Sequence, residues 1–162
     1  MSAENDRLGQ PLPFTFEGQA LPLSVCTGDV EILFTAWLES HAREKIARKK
    51  KDLGDEYGMH LRIWQQKVET EEYEWTGYTS LMVRASDTGK RKLLELLMGA
   101  AGSRPTPTQL DRIFRCPEKV VELFNEDVGD DKPPLGLYWK AIACGRPTVP
   151  VQKTAGPAAT SN

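Results

Sequence analysis

Residues 92–98, KLLELLM, set Leu93, Leu94, Leu96, Leu97 and Met98 within about two helical turns. Side chains at those positions cover too much of a helix's circumference to leave it a wet face. The segment must therefore be central, and the rest of the chain must supply amphipathic elements to wrap it. At 162 residues the chain suffices for one domain with a real core and is short for two.

The wrapping elements are legible as stripes at i, i+3, i+4, i+7 spacing. Val30, Leu33, Phe34, Trp37 and His41 form one stripe, in a helix with Thr27 at the N-cap and Asp29 and Glu31 in its first turn. A second helix, from about Asp55, carries Tyr57, Leu61, Trp64, Val68 and Trp75 on its inner side. Tyr78, Leu81, Met82 and Ala85 form a third stripe, expected to face inward and interrupted at SDTG before the central segment. In TPTQLDRIF, Thr106 caps, Pro107 takes the first helical position and Gln109 completes a capping box. CPEKVVELF repeats the device at Cys116 and Pro117, with Val120, Val121, Phe124 and Val128 expected to face inward.

Ahead of the helices, LPFTFEGQALPL reads as a hairpin turning at Glu17-Gly18, with Phe14 and Phe16 on one face by period-2 alternation. The fold class is then mainly α: a small helical bundle with a short N-terminal β-hairpin and a disordered C-terminal tail. Residues 1–11 form a flexible arm, 12–146 a single α-rich domain, and 147–162 the tail. Within the domain lie the hairpin (12–23), the helical bundle (27–128) and an aromatic segment (133–145).

Charge bears on function mainly by exclusion. A formal net charge of -2 argues against a dedicated nucleic-acid binder, which is usually basic throughout. Within that balance, REKIARKKK (43–51) is densely basic. Its cations encircle the helix instead of lining one face, and they sit at a C-terminus, where the helix dipole favours them. Pairs such as Glu39–Arg43 and Glu44–Arg48 stand at i,i+4 spacing. The acidic ETEEYE stretch (69–74) is expected to face this run across a helical hairpin and neutralise it.

No catalytic, cofactor-binding or metal-binding residues are expected. His41 and His60 stand without ligand spacing, and Cys26, Cys116 and Cys144 are too far apart for a zinc motif or a disulfide framework. Cysteine usage of this kind makes a reducing cytoplasm the default. No apolar run approaches a membrane span. SDTGKRK (86–92) lacks the first glycine and the final Ser/Thr of a phosphate loop. Its cations Lys90, Arg91 and Lys92 nevertheless oppose the dipole at a helix start, so they either pair with acids or contact an anionic partner. Tyr138 and Trp139, in PPLGLYWKAIACG, either pack back onto the bundle or anchor a docking peptide.

The order of elements (FTFEGQALPL, a charged helix ending in Arg and Lys, YEWTGYTSLMVRASDTGKRKLLELLM, PTPTQLDRIFRCPEKVVELF) resembles small tailed-phage and prophage morphogenesis proteins, among them tail assembly chaperones. The resemblance covers residues 12–128. It implies a non-enzymatic helical adaptor in the host cytoplasm, with tape-measure or tail-tube components as partners. The competing expectation is a nucleic-acid-associated phage protein using segments 43–51 and 89–92.

Overall fold

A computed structural model describes residues 10–126 and 135–145. The architecture is helical with one small antiparallel hairpin, as the sequence predicts. The arm at 1–9, Val128 and the tail from 146 onward lie outside the described residues.

Strands β1 (Thr15–Phe16) and β2 (Gln19–Ala20) pair with Phe16 opposite Gln19, which leaves Glu17 and Gly18 as a two-residue turn. Both turn residues have positive φ, 51° and 79°, the geometry that matches the twist of the flanking strands. A bridge between Leu12 and Leu23 extends the ribbon. Phe14, Phe16, Leu21 and Leu23 are all buried, so the ribbon lies apolar face down on the helices. Arg112 clamps the turn from above by donating to both carboxylate oxygens of Glu17, at 2.8–3.2 Å.

Helix α1 (Gly28–Arg48) runs for 21 residues, about 31 Å. Thr27 occupies its N-cap position with extended backbone but makes no side-chain cap bond. A short helix α2 (Lys50–Leu53) and a 3-10 turn (Gly54–Glu56) reverse the chain into α3 (Tyr57–Glu69). Then follow α4 (Tyr78–Arg84), α5 (Asp87–Ala100), α6 (Pro107–Phe114), α7 (Pro117–Phe124) and α8 (Leu137–Gly145).

Helix α5 is the centre, as its composition demands. Leu93, Leu94, Leu97 and Met98 are fully buried, and α1 and α4 both lie against the helix. Ser24 N–H donates to Leu97 O and Cys26 N–H to Ala141 O, tying the ribbon's exit to α5 and α8. The capping box at Thr106 and Gln109 forms as read from the sequence. Trp37 and Trp64 are half-buried and flank the core; Trp64 Nε1 donates to Glu39 O at 3.0 Å.

In α1 and in α7 one stripe position points outward instead. Leu33, 55% exposed, lines an open groove of about 590 Å³ between the start of α1 and the end of α5. Val121 is 58% exposed, because α7 buries Leu123 and Phe124 instead.

Candidate interaction surface

Two features set this molecule's surface apart: a projecting charged hairpin and a helix turned inside out.

From Glu39 to Glu72 no residue is buried, so the distal part of α1, with α2 and α3, forms an arm that leaves the core at Leu38. Half-buried Tyr57, Leu61, Trp64 and Val68 hold α3 against α1, with help from Arg43 over the Trp64 ring and Lys50 over Tyr57. Because the chain reverses at residues 49–56, the basic run occupies the tip of the arm. The acidic stretch lands at the base, beside Glu39. The expected neutralisation across the hairpin is therefore corrected: antiparallel register carries the two charge blocks to opposite ends.

Local fields report this segregation. At the base, Glu39 has its carboxyl held above the ordinary value, by burial and then by Glu74. The Tyr73 hydroxyl is raised by burial and then by Glu72 and Glu39. Toward the tip, His41 is shifted the opposite way, lowered by burial and then by Lys45 and Arg48, with Glu44 opposing.

The acidic turn leads into the second feature. Tyr78 is 69% exposed, Leu81 57% and Met82 54%, so the stripe expected to face inward faces solvent. The opposite face of α4 buries Ser80 and Arg84. The reason lies in Trp75, which takes the core position beside Phe34 with ring centroids 5.9 Å apart. The Arg84 guanidinium lies 3.8 Å above the Trp75 ring and donates to Trp75 O and Ser80 O. Together they fill the space that Leu81 and Met82 would otherwise occupy.

Two glycines fix the roll of this helix. A Cβ on Gly77 would stand 2.3 Å from Glu72 O, and one on Gly89 would stand 1.8 Å from Val83 O. The acidic turn is thereby pressed against the start of α4, where Glu72 also accepts from Thr79 Oγ1 at 3.0 Å. The outcome is an apolar stripe with Glu71, Glu72 and Glu74 beside one end and Asp87 just past the other.

Arg91 pairs with Asp111 and donates to Pro107 O, Lys92 pairs with Glu95, and Lys90 lies over the rings of Phe124 and Trp139. Arg91 and Lys92 thus pair with acids, whereas Lys90 rests on aromatic rings. The helix they follow starts earlier than they do, with Ser86 Oγ capping Gly89 N–H and Asp87 in the first turn. Lys90 and Arg91 also line an open groove of about 450 Å³ with Phe114 and Phe124.

Tyr138 is fully buried, which removes it as a docking anchor; a phenol at the centre of the bundle cannot reach a partner. Trp139 is half-buried, its Nε1 donating to Phe124 O. From residue 135 to 144 the aromatic segment packs back onto the bundle.

What sequence reading missed is the outward turn of Tyr78, Leu81 and Met82. The available signal was Arg84, which with Ser80 borders the other side of the stripe and, once buried, needs an aromatic or a carbonyl to sit against. Trp75 stands nine positions upstream.

Among the described residues no group of three or more His, Cys, Asp and Glu could hold a metal, and no helix is long and apolar enough to cross a membrane. Comparison with protein-family models, curated proteins and solved structures finds no match to this chain.

Proposed function

We propose that this chain is a non-enzymatic protein-binding factor that docks a partner polypeptide on the outer face of α4. The observation that carries the reading is the exposed triad Tyr78, Leu81 and Met82, held rigidly outward by Arg84, Trp75 and two close-approach glycines. Long apolar side chains at i, i+3 and i+4 offer the anchors on which peptide and helix recognition rests. An aromatic flanked by Leu and Met has no stabilising role in solvent, so its outward display makes sense as a surface to be covered.

The layout resemblance supplies the biological setting. On it, the chain is a tailed-phage or prophage morphogenesis factor, similar to tail assembly chaperones, at work in the host cytoplasm. Its partners are then tape-measure or tail-tube components. The rival reading, nucleic-acid association through 43–51 and 89–92, loses support at its second segment, where Arg91 and Lys92 are already paired with acids.

The test is co-expression with a tape-measure or tail-tube protein. The partner is expected to copurify with the wild-type chain and to be lost with Leu81→Asp, whose exposed position leaves the fold intact. Capture that is indifferent to Leu81→Asp, or recovery of nucleic acid alone, goes against the reading.

A further inference from the structure

The charge segregation along the arm has a counterpart on α4, and the two surfaces are complementary. At the tip, residues 43–62 hold seven Lys and Arg against four Asp and Glu. Met59, on the outer side of α3, is 44% exposed there, and Ile63, also 44% exposed, follows it one turn nearer the base, beside Arg62. This is an apolar pair in a net basic setting. At the base, residues 69–74 hold four Glu and no cation, next to the apolar triad of α4. This is an apolar stripe in an acidic setting.

Within one molecule the lysines at the tip cannot reach the acidic base. Glu74 lies level with Glu39, whereas the basic residues Lys49–Lys51 are ten or more positions further along the arm. At 1.5 Å per residue that separation is roughly 15–18 Å along a stiff helical hairpin. The hairpin is braced by Trp64 on Glu39 O and by the rings of Trp64 and Tyr57 under Arg43 and Lys50.

We propose that the occupant of the α4 stripe is the arm tip of a second copy of this chain, giving a head-to-tail contact. Apolar Met59 and Ile63 meet Leu81 and Met82, while Lys49–Lys51 and Arg62 meet Glu71, Glu72 and Glu74. The inference rests on the reading of the α4 stripe as a docking surface and names what docks there. A contact between unlike surfaces leaves one tip and one stripe free at each end, so further copies add until a ring closes or a filament grows. Charge pairing at the rim makes the association sensitive to salt.

The experiment is sedimentation velocity on the full chain across a concentration series, at about 0.05 M and about 0.5 M salt. Expected is self-association at low salt, weakened about tenfold or more at high salt as rim pairs are screened. Two variants break opposite halves of the contact: Leu81→Asp (or, separately, Met82→Asp) on the stripe, and the triple change Lys49→Glu, Lys50→Glu, Lys51→Glu on the tip. Each alone should be monomeric, with an unchanged far-UV spectrum and a cooperative melt. Mixed one to one, they should form a heterodimer and stop there, because one intact stripe meets one intact tip.

A wild-type chain that stays monomeric at low salt overturns the proposal, as does an equimolar mixture that fails to associate. If the wild type is monomeric while Leu81→Asp still abolishes capture of a tail component, self-association falls and the docking reading stands. If Leu81→Asp affects neither, both fall.

Discussion

The hydroxyl of Tyr138 donates to the backbone carbonyl of Arg84 across 54 residues of sequence, at 3.0 Å and fully buried. This bond fastens α8 to the end of α4, so the segment after the break in the described residues helps to set the roll of the helix that displays Leu81 and Met82. The Tyr138 ring is itself wedged between Phe124 and Trp139, with centroids 5.0 and 4.9 Å away.

Tyr138→Phe keeps that ring and removes the donor, and should cost about 1–2 kcal/mol in urea unfolding. The alkaline limb of stability should change as well. Burial holds the Tyr138 phenol above its ordinary value, helped slightly by Cys26 and opposed by Arg84. The unfolded chain therefore ionises first, near about pH 10, and the stability this neutral phenol contributes is lost as pH rises beyond that point. The Phe variant should lose less stability between about pH 9 and 11 than the wild type. A residual slope remains from Tyr73, whose hydroxyl is also raised. Equal alkaline slopes in both proteins would show that Tyr138 is not the group responsible.

Thr106→Ala should destabilise by about 1 kcal/mol. Thr106 Oγ1 accepts from Gln109 N–H while Gln109 Oε1 accepts from Thr106 N–H, so both halves of the box are made. Gln109 also donates to Gln19 of the ribbon, so the N-terminus of α6 is tied to the hairpin turn. Chemical denaturation measures the loss; an unchanged midpoint would mean that water replaces the cap at no cost.

Where sequence and structure agree, local chemistry decides. Leu93, Leu94, Leu97 and Met98 have no wet alternative, Thr106 and Gln109 satisfy each other within four residues, and Glu17-Gly18 accepts positive φ where the turn needs it. Where they part, the deciding partner is remote. The stripe at Tyr78, Leu81 and Met82 has the right period but the wrong face, because Trp75 and Arg84 claim the core side of α4. The spacing of the charged blocks was visible, whereas the register that carries ETEEYE to the base of the arm depends on where the chain turns between Lys49 and Glu56. The candidate surface was thus legible as residues and illegible as a surface.

His41 should respond to the basic tip of the arm. Its imidazole stacks on Trp37 with centroids 4.7 Å apart, and its pKa is lowered by burial first and by Lys45 and Arg48 next. The sign follows: the unfolded chain takes up its proton near about pH 6.5, before the folded one does. Stability contributed by the neutral ring is whole above that pH and falls as the pH drops toward the folded value. In NMR titrations, Lys45→Gln with Arg48→Gln should move His41 up toward the ordinary histidine value. A titration midpoint that stays put would leave burial as the whole cause.

The basic tip should bind DNA or RNA no better than a Kd on the order of 10⁻⁴ M near physiological salt. A phosphate grip needs several cations on one face, whereas here Asp52, Asp55 and Glu56 interleave with them, Arg48 pairs with Glu44, and Arg43 and Lys50 lie over rings. Changing Lys49, Lys50 and Lys51 to Glu should leave the fold intact at a cost of about 1 kcal/mol, chiefly from the Lys50 contact with Tyr57, all three being exposed. Micromolar affinity that falls steeply with salt and vanishes in the triple variant would instead favour the nucleic-acid reading.

Gly89→Ala is the sharpest test of how α4 is held. Glycine at an ordinary helical position destabilises by about 1 kcal/mol relative to alanine, so the substitution would normally raise stability. Gly89 sits inside α5, yet its added Cβ would stand 1.8 Å from Val83 O and 2.9 Å from Val83 Cγ1. The first contact is with backbone, which cannot swing aside as a side chain would. The end of α4 must lift, and Arg84, one residue on, must leave its seat on Trp75. A loss of about 1–3 kcal/mol is expected, the cost of overpacking a closed site, where helix propensity alone predicts a gain. The same displacement should weaken whatever binds Leu81 and Met82, although Gly89 is itself buried and touches no partner. A Gly89→Ala protein more stable than the wild type would show that α4 and α5 do not approach this closely, and the rigid outward display of the stripe would fall with it.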